Sequence, residues 1–152
     1  MGSNMNNKFL EIIHEGNYQE AKKLLSNKSN EEIYQFLIDQ AIETESISIY
    51  TFVCFLLSEQ ESTELHYCAA GILDHGLCYI KGATSASLFH ARRAAKLSPD
   101  DISCQRELLF YFGMPDHVMS EQEAEIIAKT VLEKNPDDAK ATQVIKMIKK
   151  LD

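Results

Sequence analysis

A helix, a proline stop and an acidic pair occur twice in this chain, 37 residues apart. Residues 87–101 read SLFHARRAAKLSPDD and residues 124–138 read AEIIAKTVLEKNPDD. Each copy places small or apolar side chains on one helical face and ends in a basic turn. Each then stops at Pro99 or Pro136 and offers an aspartate pair, Asp100 and Asp101 or Asp137 and Asp138, to cap a further helix. Two helix–stop–helix units at a fixed period predict a stack of helix hairpins. Each hairpin buries its apolar face on a neighbour, and the stack presents an extended surface to a partner.

The other segments are helical as well, with apolar residues spaced at three and four and no strand-like alternation. A first helix is expected over about residues 6–15, with Phe9, Ile12 and Ile13 inward and Gly16 as its stop. A second covers 18–26, and a third is capped by Asn30 with Glu31 and Glu32 in its first turn. Ser46 opens a fourth that is apolar on most sides, and Ser62 caps a fifth whose buried stripe is Leu65, Cys68, Ala69 and Ile72, ending at Gly76. The sixth spans 84–97 and the seventh 102–112. Ser120 and Glu123 form a capping box for the eighth, 121–134, and the ninth spans 138–151. The fold class is all-α, about nine helices joined by short connections and paired as antiparallel hairpins.

Residues 1–4, MGSN, read as an expression scar, and 5–152 as a single helical domain. Six glycines and three prolines leave no room for a flexible linker between domains. The most apolar stretch, residues 47–57, is too short to span a membrane. With no secretion signal and no CxxC spacing among Cys54, Cys68, Cys78 and Cys104, reduced core thiols in a cytoplasm are expected. Abundant lysine, isoleucine and asparagine without tryptophan suit a bacterium with an AT-rich genome. The net charge of −8 argues against a phosphate-backbone ligand; solubility is its plainer reading, and attraction to a basic protein partner the functional one.

The hairpins resemble tetratricopeptide repeats. Ala91, Ala94, Leu97 and Pro99 with Asp100 and Asp101 look like that family's second helix and closing turn, and Leu132, Asn135, Pro136, Asp137, Asp138 and Ala139 repeat the closure. Ala124 stands at the family's small residue opening a second helix, and residues 16–21, GNYQEA, are similar to its hairpin turn. Departures are an irregular period, the absence of tryptophan, and Gln105 in place of a large apolar residue. The resemblance implies a short right-handed superhelix in which the first helix of each hairpin lines a concave, partner-binding groove. It places Thr63, His66, Ala70 and Leu73, then Ser103, Arg106 and Phe110, then Gln143 and Met147 on that groove. Arg106 is the residue of most interest, because a guanidinium can grip a peptide carboxylate with two bonds, unless a neighbour such as Glu107 already occupies it.

Other constellations carry less. His66 and Cys68 with His75 and Cys78 are the right ligand types for zinc, but two residues apart on a helix they face different ways. Cys104 lies near Arg106 at a helix start, where a packed thiol is the plainer reading. His90, Arg92 and Arg93 read as a solvated outer face. No GxSxG, P-loop, GxGxxG or HExxH pattern occurs, so no catalytic residue, metal or cofactor is expected. The expected function is a non-enzymatic module that binds a peptide or partner protein in a helical groove, with no nucleic acid and no membrane. Alternatives are an acidic inhibitor or immunity-type protein for a basic toxin or nuclease, a homodimeric structural protein, and a Cys/His metal protein.

Overall fold

The computed structural model describes residues 2–151, with Ser3 in its backbone only. Among these residues there are nine α-helices and no strand, the all-α class that the periodicity predicts. They are α1 (Ser3–His14), α2 (Tyr18–Leu24), α3 (Asn30–Thr44), α4 (Ile47–Glu59), α5 (Thr63–Gly71), α6 (Ala83–Leu97), α7 (Ile102–Leu108), α8 (Glu121–Lys134) and α9 (Ala139–Ile148). A π-helical turn, Ile72–Gly76, prolongs α5, and a 3-10 turn, Leu109–Tyr111, prolongs α7. No described helix is long and apolar enough to cross a membrane. The chain divides into two compact units, Met1–Ala83 and Thr84–Asp152.

The first unit is organised around aromatic rings. Phe9 of α1 and Phe52 of α4 are fully buried and meet edge to face with ring centroids 5.6 Å apart. Phe36 of α3 approaches Phe9 at 5.1 Å and Tyr18 of α2 approaches Phe52 at 5.8 Å, so one aromatic cluster joins four helices. The turn between α1 and α2 needs Gly16, whose φ of 74° is left-handed. The cap of α3 is not Asn30. Ser29 accepts from the Glu32 amide at 3.2 Å while the Glu32 carboxylate takes the Ser29 amide at 2.8 Å, so a reciprocal box places Asn30 inside the helix. Gly76 also serves a purpose other than ending a helix. Its missing side chain lets the π turn press on α3, for a Cβ there would lie 2.6 Å from the carbonyl carbon of Ala41.

The second unit carries the sequence repeat as a repeat of burial. Ser87 and Ala124, His90 and Ile127, Ala91 and Ala128, Ala94 and Val131, and Cys104 and Ala141 are each 37 residues apart, and all ten are buried. His90 therefore faces the interior, and the expected solvated cluster with Arg92 and Arg93 does not form. The closing turns repeat too: Asp101 accepts from the Ser103 amide at 2.9 Å to start α7, and Asp138 accepts from the Ala141 amide at 2.9 Å to start α9. Ser120 caps α8 through the Glu123 amide at 3.1 Å, but the expected return bond from Glu123 is absent. The Glu123 carboxylate is held by Arg92 of α6 at 2.8 and 2.6 Å, a two-bond pair that a guanidinium favours over a lone amide.

Candidate partner-binding surfaces

The α5 residues expected on a groove are not on an open face. His66 and Leu73 are each 4% exposed, Ala70 is buried with them, and Thr63 is half-buried. The expected buried stripe of Leu65, Cys68, Ala69 and Ile72 is in place, so α5 is buried on two sides. His66 tolerates burial because its ring nitrogen meets the Glu61 carboxylate at 2.9 Å. The accessible edge of α5 is one residue along, at Glu64 and Tyr67.

That edge opens on two adjoining clefts. The deeper, of about 360 Å³, lies among the end of α2, the start of α3, the end of α4 and the start of α5. Leu25, Phe52 and Leu65 form its buried floor, with Ile33 and Leu56 half-buried on its walls. At its mouth the Lys22 ammonium donates to Glu59 at 2.7 Å, and the Gln19 amide donates to the same carboxylate at 3.1 Å. These bonds hold the Glu59 carboxyl below its ordinary pKa. The shallower cleft shares Asn30, Tyr34 and Glu64 with the first and continues over Glu31, Ile38, Tyr67 and Cys68. Burial raises the Tyr34 phenol above its ordinary pKa.

In the second unit, five expected residues lie on α7, its 3-10 extension and α9. Ser103, Phe110 and Gln143 are exposed, and Arg106 and Met147 are half-buried. Arg106 and Phe110 are brought together, with the guanidinium carbon 5.6 Å from the ring centroid. Lys140 of α9, which sequence reasoning did not place here, sets its ammonium 4.9 Å from the same centroid. The guanidinium is not an open fork, because its Nε donates to the Asp138 carboxylate at 2.8 Å and Glu107 stands 3.9 Å away. Asp138 is thus shared by the start of α9 and a side chain of α7. The Ala141 amide first, and then Arg106, keep its carboxyl below the ordinary aspartate pKa. Gln143 and Met147 border a shallow depression on α9, with Lys146 and Lys150 beside them.

The 3-10 turn explains how Phe110 comes to be exposed. Leu109, Tyr111 and Phe112 are buried around it, with the Tyr111 hydroxyl 2.6 Å from Ser87 of α6, while Phe110 remains 44% exposed. Three residues per turn direct its neighbours inward and this ring outward.

The cysteine and histidine residues do not converge. Cys68 is buried beside the Tyr34 carbonyl, and its thiol is pushed up to about 12 by that burial. Cys78 is exposed with its sulfur near the His75 carbonyl, and Cys104 is buried. Among the described residues no three His, Cys, Asp or Glu side chains gather as a metal set. No family model matches the chain, and no curated protein or solved structure matches it either.

Proposed function

We propose that this protein is a non-catalytic protein-interaction module built from tetratricopeptide-like hairpins, and that the face of α7 and α9 around Phe110 contacts its partner. The observation that carries the reading is the aromatic residue turned outward under two cations. A large ring held rigidly at the surface beside Arg and Lys supplies the contact area and directed charge typical of interface anchors. The Asp138 bond keeps Arg106 in one pose, so little side-chain entropy remains to be lost on binding. Burial that repeats every 37 residues through this unit supports the repeat reading, because a stack of like hairpins offers like faces in register.

The test is capture of partners by the whole chain beside a Phe110→Ala/Lys140→Glu variant. Both changes lie on exposed or half-buried side chains and spare the Arg106–Asp138 bond. Partners held by the wild type and lost by the variant, at equal helicity, support the reading. Partners held equally by both refute this face.

A further inference from the structure

The two units differ sharply in charge. Residues 1–83 hold 12 of the 23 acidic residues and five of the 15 basic ones, a formal −7, whereas residues 84–152 hold 11 acids and ten bases, a formal −1. The acidity of this chain belongs almost wholly to the unit that carries the clefts over α3 and α5. Lys22 at the deeper mouth is engaged by Glu59, which leaves Lys28 as the other lysine there. Along the shallower cleft the lining includes Glu31 and Glu64 and, among the described residues, no lysine or arginine. Neither Glu31 nor Glu64 takes part in an ion pair among the described residues.

From this geometry we infer that the groove over α3 and α5 binds a basic peptide segment anchored by one apolar side chain. The deeper cleft receives the apolar side chain. Its volume of about 360 Å³ lies at the lower end of ligand-site sizes, and Leu25, Phe52 and Leu65 give it a buried apolar floor. A lysine or arginine next to that anchor lies along the shallower cleft, where Glu64 at the shared edge and Glu31 beyond it offer carboxylates without a cation of their own. The formal −7 of the unit raises the local concentration of a cationic segment and repels a polyanion, so nucleic acid is the wrong class of ligand. The site is independent of the Phe110 face and does not require the function proposed for it.

The test measures binding of a short fluorescein-labelled peptide of alternating lysine and leucine to the whole chain by anisotropy. Two companion peptides replace leucine with serine or lysine with glutamate. Four variants of verified helicity accompany the wild type: Glu31→Lys/Glu64→Lys at the groove, Leu56→Ser at its wall, Glu11→Lys/Glu15→Lys at the end of α1 as a reversal of equal charge away from it, and Phe110→Ala on the other face. The inference expects the lysine–leucine peptide to bind best, a weakening of about tenfold in the groove reversal, a smaller loss with Leu56→Ser, and a change under about threefold in the α1 control. Equal loss in both charge reversals would mean diffuse attraction and would overturn the site. Equal binding of the serine peptide would overturn the apolar anchor, and equal binding of the glutamate peptide the charge selection. Loss of binding in Phe110→Ala with none in the groove variants would move the peptide to the other face and also overturn it.

Discussion

Asp138 does two jobs that its repeat counterpart Asp101 does not combine, and the difference can be measured. Both cap a helix, but Asp101 is exposed and bonds only within its own turn, to the amide and hydroxyl of Ser103. Asp138 is 6% exposed and joins the Ala141 amide to Arg106 of α7. Losing a cap costs about 1 kcal/mol, more where the cap is buried. The Arg106 side chain is 38% exposed, so solvent screens its bond and about 0.5–1 kcal/mol is a fair addition. Asp138→Ala should therefore destabilise by about 2 kcal/mol, and Asp101→Ala, whose carboxylate is exposed, by less. Asp138→Asn keeps a capping oxygen and loses only the charge, so it should fall between the wild type and Asp138→Ala. Urea unfolding followed by far-ultraviolet circular dichroism at neutral pH gives the three values. The sign with pH follows from the depressed carboxyl pKa of Asp138. Its stabilisation is complete above the ordinary aspartate value of 3.8 and is lost as pH falls through the lower folded value. Asp138→Asn should remove that part of the acid sensitivity. An Asp138→Ala cost no greater than that of Asp101→Ala would refute the argument that this residue ties α9 to α7.

Two further predictions concern packing. Gly76→Ala should destabilise by about 1–3 kcal/mol in the same urea assay, because the new Cβ meets backbone of Ala41 at 2.6 Å. Gly71→Ala should cost less, since the nearest atom there is the flexible tip of Ile38 at 3.0 Å; equal costs would contradict the close approach of the π turn to α3. In thiol labelling near pH 8, exposed Cys78 should react first, while Cys68 and Cys104 should stay protected until the chain opens. Labelling of Cys68 at the Cys78 rate would show that its burial is not maintained.

What could be read from the sequence was what local chemistry decides. The Pro–Asp–Asp turns, the bounds of α8 and the buried stripe of α5 follow from caps, stops and a 3.6-residue period, and each is present. Errors arose where two local answers were equally good. Ser29 and Asn30 are both strong capping residues, and only the Glu32 carboxylate three places after Ser29 chooses between them. On α5, polar His66 and polar Glu64 compete for solvent about 200° apart around the helix. Sequence favours neither, because the choice depends on the bond that Glu61, outside the helix, accepts from His66. The clefts were not legible at all, since their walls are the ends of α2 and α4 and the starts of α3 and α5, segments far apart in sequence that only tertiary packing brings together.

The Arg106–Asp138 bond limits how the Phe110 face can be probed. Arg106 is the residue that motif reading singles out, yet it is the least informative one to change. Its Nε holds the carboxylate that starts α9, so a charge reversal there would oppose Asp138, weaken the cap and shift Lys140 together with the helix that carries it. Lost binding would then report a displaced α9 as readily as a lost contact. Phe110 and Lys140 are free of that coupling: the ring is held by buried neighbours in the 3-10 turn, and the ammonium over it holds no cap. A binding defect in Phe110→Ala with unchanged urea stability therefore isolates recognition from folding. A defect confined to Arg106 variants, together with the stability loss expected when Asp138 is removed, would show that the Arg106–Asp138 tie serves the fold.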